Sequence, residues 1–552
     1  MPLNARDGVP GFYVSRLPFP FSLLSSACII KALASPPVPP SHSVMRRATV
    51  LAAAFLLSAT ATLTSAQQPA DAALARQLDA YTTQAFRDWD GVGLAIAVVK
   101  DGRLVFAKGY GSRELGKPGA VDSATLFAIG STTKAMTAAA LGMLVDEGKV
   151  RWDDPVTNYL PGFQLRDPYA TREVTVRDLL THRAGLPNAD YLWYGTANST
   201  AEILRRVRLV EPAYSIRSSF IYQNVMYAAA GQVIAVTSGM LWEEFVRTRI
   251  FVPLHMDRTV PLLARARGVP NVASPHDRID DTLRVIANAS VDPVASAGSV
   301  WSSVADMSKW MRFVLDSGRV DGRALLKPAT FAELLKPQTM VPPGQFYPSA
   351  RLTRPHWMTY ALGWFQQDYD GRAVSFHTGS IDGMVAIIGL IPDERLGVYV
   401  LANSDHIELR HALMLKVFDL WGPAKSKPRD WSTELRTLYT NQRTQASAAT
   451  KAAEAKRVTG TKPSLPLPRY AGTYADSLYG EATVTTAANG SLRLRVGTLE
   501  GTLEHWQYET FRVRWDQRWV GSDLVTFVIG SDGTPGRIEM DSRTFARTDR
   551  GR

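Results

Sequence analysis

The sequence predicts an α+β protein: an antiparallel sheet flanked by helices, with a mainly helical subdomain, followed by a small all-β domain. A β-hairpin pattern near residue 100 and three strand patterns between residues 372 and 401 enclose a region of mainly helical patterns. Short β patterns with glycine-containing turns dominate from residue 470 onward. The economical arrangement is one antiparallel sheet built from both ends of the larger domain, with helices on both faces.

The first 66 residues have the pattern of a targeting segment. A Met-Arg-Arg start at 45–47 precedes an apolar run over 48–57 and then small residues up to Ala66. A basic start, an apolar stretch and a small-residue cleavage site are typical of a signal peptide. We therefore expect a signal peptide at 45–66, a mis-called N-terminal extension at 1–44, and a secreted or periplasmic protein.

Cysteine content, hydropathy and charge exclude several classes of protein. The single cysteine, Cys28, precedes the expected cleavage site, so the mature protein has no disulfide or cysteine-ligated metal. A lipoprotein site ending at Cys28 and a twin-arginine signal at 46–47 are weaker alternatives. No other stretch predicts a membrane span. The net charge of +11 is spread along the chain, so we predict no nucleic-acid partner.

The larger domain is predicted over 70–422, and local patterns define its elements in order. Residues 70–87 have an amphipathic helical pattern, and apolar runs at 92–99 and 104–107 flank an Asp-Gly turn typical of a hairpin. A helix is expected from Ser131 to Glu147. Further helices are predicted at 175–182, 200–208, 222–238, 241–251 and 304–317. Strands at Arg372–His377, Met384–Ile391 and Leu396–Leu401 precede a last helix from Ile407 to Trp421.

The composition changes after residue 422. Residues 423–464 combine basic residues, an alanine-rich stretch and several prolines, which predicts a partly helical linker. A small all-β domain is then predicted over 465–547. Its expected strands are Glu481–Thr485, Ser491–Val496, Phe511–Trp515 and Val525–Ile529.

A serine and a lysine stand three residues apart at the start of the predicted helix 131–147. Positions i and i+3 share a helix face, so Lys134 is expected beside Ser131. A serine hydroxyl is a poor nucleophile unless a base takes its proton, and a buried lysine can act as the neutral amine. The spacing therefore predicts a nucleophile and its base, although an ordinary capping serine beside a surface lysine gives the same pattern.

Two further groups of residues extend this candidate site. Tyr222 is a candidate proton shuttle and Asn224 a candidate partner for the lysine or a substrate amide, although both residue types also begin helices for structural reasons. The segment 377–380, His-Thr-Gly-Ser, ends a predicted strand, where a glycine permits close backbone approach. The Ser380 N–H, paired with that of Ser131, is expected to form an oxyanion hole.

Together, Ser-Thr-Thr-Lys at 131–134, Tyr-Gln-Asn at 222–224 and His-Thr-Gly at 377–379 resemble the class C β-lactamase and penicillin-binding-protein superfamily. The intervening text is similar to that family over four stretches: Leu141–Pro161, Val176–Pro187, Phe251–Met256 and Ala295–Asp306. The resemblance covers about 70–422. The tail over 465–545 resembles the lipocalin-like β-barrel often appended to bacterial members.

The resemblance implies a β-lactamase/transpeptidase-like fold and a serine hydrolase that works through an acyl-enzyme. Its implied catalytic residues are Ser131, Lys134 and Tyr222, and the amides of Ser131 and Ser380 form the oxyanion hole. Its implied substrate-binding residues are Asn224, His377, Thr378 and Gly379. The mechanism needs no metal or cofactor, and the expected partner is a small-molecule or short-peptide substrate. The oligomeric state is left open. His182 is interpreted as a structural residue, because the mechanism already has a base.

One departure from the family pattern bears on the substrate. His377 occupies the position where β-lactamases and carboxypeptidases usually have lysine, and histidine is mostly neutral at pH 7. A permanent cation helps to hold a substrate carboxylate. We therefore favour an esterase, amidase or D-amino-acid peptidase over a β-lactamase or D-alanyl-D-alanine carboxypeptidase. A catalytically silent binding module for penicillin or peptidoglycan is the alternative from another class.

Overall fold

The computed structural model describes residues 70–423 and 429–548. The predicted extension at 1–44 and signal peptide at 45–66 lie outside these residues. Within them no single helix is long and apolar enough to cross a membrane, although one bent pair, Val225–Ser238 with Trp242–Phe251, meets that test in combination.

The larger domain is built on an eight-stranded antiparallel sheet with the order β2-β1-β14-β13-β12-β11-β10-β9. The other strands of this domain form three small two-stranded sheets. In chain order the strands are β1 Gly93–Lys100, β2 Arg103–Gly111, β3 Phe127–Ala128, β4 His276–Ile279, β5 Thr282–Val285, β6 Trp301–Ser302, β7 Arg319–Val320, β8 Arg323–Ala324, β9 Thr339–Met340, β10 Met358–Tyr360, β11 Phe365–Tyr369, β12 Arg372–Ile381, β13 Met384–Ile391 and β14 Leu396–Ala402.

Helices cover both faces of this sheet. They are α1 over 70–88 and then α2 Lys134–Asp146, α3 Pro168–Glu173, α4 Val176–Leu180, α5 Thr200–Val207, α6 Val225–Ser238, α7 Trp242–Val246, α8 Leu263–Ala266, α9 Ala295–Gly298, α10 Val304–Leu315, α11 Pro328–Leu334, α12 Ala350–Thr353, α13 Leu409–Trp421 and α14 Trp431–Glu454. Alternate residues of β1 enter two cores. Leu94, Ile96 and Val98 pack with the terminal helices, and Ala95, Ala97 and Val99 pack with the helical region.

The antiparallel sheet with helices on both faces confirms the predicted fold class, and strands from both ends of the domain do pair, as in Ala95 opposite Leu401. The prediction missed β9, β10 and β11. In β11 the polar residues Gln366 and Gln367 are buried, so the strand lacks an apolar pattern. The Gln366 amide is satisfied by the Leu335 carbonyl oxygen at 2.6 Å.

Several predicted element boundaries move. The strand predicted at 372–377 continues to Ile381, so the His377–Ser380 segment lies within β12 rather than at its end. The helix predicted from residue 222 begins at Val225. Its cap residue Asn224 makes no capping hydrogen bond, because its side chain is used elsewhere. The helix predicted at 241–251 is α7 followed by a π-helix at Arg247–Phe251.

The C-terminal residues form a closed antiparallel barrel of eight strands, which confirms the predicted all-β domain. The strands are β15 Gly472–Asp476, β16 Gly480–Thr486, β17 Leu492–Val496, β18 Leu499–Gln507, β19 Thr510–Trp515, β20 Ser522–Ile529, β21 Pro535–Met540 and β22 Arg543–Arg547. Four of these correspond to predicted strands. The prediction missed β18. One of its buried positions is Gly501, so the apolar alternation typical of a strand is interrupted in the sequence.

Candidate active site

Ser131 and Lys134 meet where a 3-10 turn, Gly130–Thr133, leads into α2. Lys134 Nζ lies 3.1 Å from Ser131 Oγ. Lys134 is 0% exposed. Its Nζ lies over the rings of Tyr222 and Tyr227, 4.7 and 5.1 Å from the two ring centroids. Because the buried ammonium loses its hydration, the pKa of Lys134 falls to about 7. The three-residue spacing in the sequence therefore correctly placed the Lys134 amine beside the Ser131 hydroxyl.

The hydrogen-bond partners of Lys134 orient its nitrogen. Nζ lies 2.7 Å from Asn224 Oδ1 and 2.9 Å from the carbonyl oxygen of Ala297, and both are acceptors. A neutral amine has two hydrogens and one lone pair. When the two acceptors take the hydrogens, the lone pair is left for the Ser131 hydroxyl. This is the arrangement that a general base requires.

Asp190 supports this arrangement from behind. Its carboxylate accepts two hydrogen bonds from Asn224 Nδ2, at 3.0 and 3.1 Å, and one from Trp193 Nε1 at 2.8 Å. Burial raises the pKa of Asp190, while its charge opposes the fall in the pKa of Lys134. Sequence reasoning missed Asp190, whose one indication is its place just after the family-like stretch at 176–187.

The ring of Tyr222 lies against Lys134. His182 contacts Tyr222 and its neighbour Gln223 and so holds this segment in place. Burial raises the pKa of the Tyr222 phenol well above its ordinary value. Its oxygen is buried without a well-formed hydrogen bond among the described residues, although the Ser131 hydroxyl is near enough to oppose the pKa shift. His182 Nδ1 accepts the Gln223 backbone N–H at 2.9 Å, and its ring packs on Tyr222 at 4.2 Å. These contacts fit the interpretation of His182 as a structural residue.

The imidazole of His377 is buried and uncharged. Its Nδ1 lies 2.6 Å from the Thr378 carbonyl oxygen, an acceptor, so Nδ1 carries the proton and Nε2 accepts from Tyr360 Oη at 2.9 Å. Burial, reinforced by the charge of Lys134, lowers the pKa of His377 to about 3. The sequence reading expected His377 to contact substrate. The structure instead satisfies both ring nitrogens inside the protein, which leaves the imidazole 1% exposed.

The strand segment at 378–380 packs tightly against the 3-10 turn that carries Ser131, here called the Ser131 turn or nucleophile turn. A Cβ atom on Gly379 would lie 2.0 Å from the Ile129 carbonyl oxygen and 3.1 Å from Ser131 N. A Cβ on Gly130, whose φ is +53°, would lie 2.6 Å from Ser380 N. The backbone N–H groups of Ser131 and Ser380, which are proposed to form the oxyanion hole, therefore lie on either side of the close contact between Gly379 and Ile129. The close backbone approach that Gly379 permits is therefore made by Ile129 and Ser131 of the same chain.

In the outer half of β12, one edge pairs with no strand of the described ranges. Its register with β11 ends at Phe376, whereas its pairing with β13 continues to Ile381. The edge beyond Phe376 therefore faces the Ser131 turn, and the Thr378 hydroxyl there hydrogen-bonds Tyr347 Oη. Substrate was predicted from the sequence to bind along this edge.

A buried ion pair lies behind this strand, and sequence reasoning missed it. Arg410 Nη1 donates to the Gly379 carbonyl oxygen at 2.6 Å and to that of Ala386 at 3.1 Å, so it clamps β12 to β13. Its Nη2 lies 3.1 Å from the Glu408 carboxylate, whose pKa is lowered by Arg410 and His411 against the effect of burial. The guanidinium is thereby neutralised in place.

The structure thus brings the three sequence groups together: Ser131 and Lys134, Tyr222 and Asn224, and the segment 377–380. They place a serine hydroxyl, a lysine amine of lowered pKa, a protonated phenol and two closely spaced backbone amides in one site. No group of three or more His, Cys, Asp or Glu side chains in the described ranges is placed to hold a metal ion.

Comparisons with known proteins agree with this architecture. The Beta-lactamase family matches residues 58–416, and a domain of unknown function, DUF3471, matches residues 456–550. An unguisins hydrolase of Aspergillus violaceofuscus is 30% identical over 442 residues, which cover 74% of this chain and 76% of that protein. Protein flp of Staphylococcus aureus is 25% identical over 56% of this chain and 59% of its own length.

Solved structures with the same fold are more distant in sequence. The octameric penicillin-binding protein homologue from Pyrococcus abyssi has a TM-score of 0.56 at 21% identity, over 85% of this chain and 98% of that chain. The crystal structure of SurE has a TM-score of 0.53 at 21% identity, over 87% of this chain and 100% of that chain. At this identity the likeness concerns the fold alone.

Proposed function

The chain belongs to the beta-lactamase family and is a serine hydrolase of it, and we propose that it cleaves an ester or an amide through an acyl-enzyme at Ser131. The observation that carries this proposal is the orientation of Lys134. Its buried nitrogen lies 3.1 Å from Ser131 Oγ and within hydrogen-bond distance of two acceptors, Asn224 Oδ1 and the Ala297 carbonyl oxygen, which take the two hydrogens of the neutral amine. No other contact in the site supplies a base for the hydroxyl among the described residues.

In the proposed acylation step, Ser131 Oγ attacks the substrate carbonyl carbon while its proton passes to Lys134 Nζ. The carbonyl oxygen becomes an oxyanion, which the N–H groups of Ser131 and Ser380 stabilise. The tetrahedral intermediate then expels the alcohol or amine, leaving the acyl group on Ser131. Water hydrolyses this ester in a second step and regenerates the serine.

Tyr222 is the proposed acid for the leaving group. Because its pKa is raised, the phenol is protonated at neutral pH and is able to donate. The Tyr222 hydroxyl lies near that of Ser131. To complete the cycle, the proton taken by the lysine must return to the phenol. The same pair is the proposed activator of the water in deacylation.

The charge of the strand edge supports the proposed substrate class. His377 is uncharged because its pKa lies near 3, and Arg410 is neutralised by Glu408. A substrate carboxylate at this edge therefore meets no free cation of either residue. This favours esterase, amidase or D-amino-acid peptidase activity over cleavage of β-lactams or D-alanyl-D-alanine.

A substrate panel tests the proposal. We expect the purified protein to turn over p-nitrophenyl esters or D-aminoacyl anilides faster than nitrocefin or D-Ala-D-Ala peptides. Ser131→Ala should lower kcat at least about 10³-fold, because the acyl-enzyme cannot form. A folded wild type that cleaves no member of the panel, or a Ser131→Ala variant with unchanged turnover, would overturn the proposal.

A further inference from the structure

The C-terminal barrel contacts the larger domain next to the strand that carries Ser380. The turn Arg518–Val520 joins β19 to β20, and its Trp519 Nε1 donates to Asp382 Oδ2 at 3.0 Å. Asp382 lies in the two-residue turn between β12 and β13, two positions after Ser380. One side chain of the barrel is therefore hydrogen-bonded to the connection that ends the oxyanion strand.

The same carboxylate oxygen of Asp382 also binds the loop behind the catalytic lysine. Tyr194 Oη donates to Asp382 Oδ2 at 2.8 Å. Tyr194 follows Asp190, the residue that holds Asn224, by four positions. Asp382 thus joins the oxyanion strand, the lysine-supporting loop and the barrel. Its side chain is half-buried, and burial raises its pKa, while the hydrogen bonds from Tyr194 and Trp519 oppose that rise and stabilise the charged form.

Further contacts hold the barrel against this loop. The Thr498 backbone N–H donates to the Gly195 carbonyl oxygen at 2.9 Å, and the rings of Tyr191 and Tyr479 meet at 4.9 Å. The position of Trp519 is therefore fixed by a broader interface rather than by one hydrogen bond.

We infer that Trp519 is a positioning residue for the hydrolytic reaction, which keeps the Ser380 amide in register with Ser131 by holding Asp382. This inference rests on the proposed acyl-enzyme at Ser131. An oxyanion-hole donor acts in the transition state and must lie at hydrogen-bond distance from the oxyanion, so a small shift of the strand end lowers kcat more than it changes KM. Through this one contact the barrel helps to position the oxyanion strand of the larger domain.

The test uses the full-length protein and a p-nitrophenyl ester. Trp519→Phe keeps an aromatic ring and removes the N–H donor. We expect kcat to fall about 10-fold with KM within about 2-fold, because misplaced catalytic groups affect the chemical step. Trp506→Phe is the matched control. Trp506 packs against Arg457 and Arg512 elsewhere on the barrel, and its variant should keep wild-type kcat.

A double-variant cycle separates positioning from general destabilisation. Asp382→Ala, which removes the acceptor of the Trp519 N–H, should lower kcat by at least a similar factor. The combined Trp519→Phe and Asp382→Ala variant should lose little more than Asp382→Ala alone, because Trp519 acts through Asp382. Multiplied losses in the double variant, or an unchanged kcat in either single variant, would overturn the inference. A wild type inactive towards the ester contradicts the proposed function instead, so the two failures are distinguishable.

Discussion

At the scale of single residues, the proposed chemistry depends most on Lys134. The sequence predicted its place beside Ser131, because a three-residue spacing on a helix needs only local geometry. It did not predict Asp190 or the Ala297 carbonyl oxygen, since those contacts join distant segments. His377 was expected to be mostly neutral from the ordinary pKa of histidine. The structure adds a stronger cause, namely complete burial.

The lowered pKa of Lys134 predicts how activity depends on pH. Below its pKa of about 7 the amine is protonated and has no lone pair for the Ser131 proton. We expect kcat/KM to rise with pH through about 7 and to level off above it, as measured with an ester whose own hydrolysis is subtracted. Lys134→Arg, which stays charged, should be inactive at every pH. An activity that falls as pH rises through 7 would contradict Lys134 as the base.

Asp190→Asn tests the same assignment from the supporting residue. The negative charge of Asp190 raises the pKa of Lys134, so its removal should shift the rise in kcat/KM towards lower pH. The substitution keeps the shape and an acceptor for Asn224. The measurement is the pH profile of the variant beside that of the wild type. An unchanged midpoint, or one displaced towards higher pH, would show that the titrating group is not Lys134.

At the scale of secondary-structure elements, the strand β12 and the nucleophile turn form one packed unit. The strands at 372–401 were predictable from strand segments separated by Gly-containing turns, but the extension of β12 to Ile381 was not, because a glycine and polar residues occupy that half. The tight contact at Gly379 depends on a turn some 250 positions earlier in the chain. A contact between residues so far apart in the chain cannot be predicted from a local sequence pattern.

Gly379→Ala tests this contact. The added methyl group would lie 2.0 Å from the Ile129 carbonyl oxygen, so β12 and the Ser131 turn must separate. We expect kcat to fall about 100-fold, since the oxyanion donors are displaced, and the free energy of unfolding to fall by about 1–3 kcal/mol from overpacking. Gly162→Ala is the control, because a Cβ there meets no atom within 4 Å. Equal effects of the two substitutions, measured by turnover and thermal unfolding, would contradict the account.

At the scale of the whole molecule, the order of elements along the chain made the architecture predictable. The economical arrangement put the early hairpin and the late strands in one sheet, and the short β patterns of the tail predicted a separate β domain; both are observed. The relation between the two domains was not predictable. It depends on single contacts such as Trp519 to Asp382, which are 137 positions apart and leave no periodic pattern. Residues 431–435 also lie in the predicted linker, yet Trp431 and Leu435 are buried in the core of the larger domain.

The most direct test of the central claim is to trap the acyl group. The full-length protein is mixed with a p-nitrophenyl ester, quenched in acid within the first turnovers, digested and analysed by mass spectrometry. The account predicts that the acyl mass appears on the peptide that contains Ser131, and that Lys134→Ala delays its appearance by several orders of magnitude. An acyl group on a different residue, or product release without any adduct on Ser131 in a quenched time course, would contradict it.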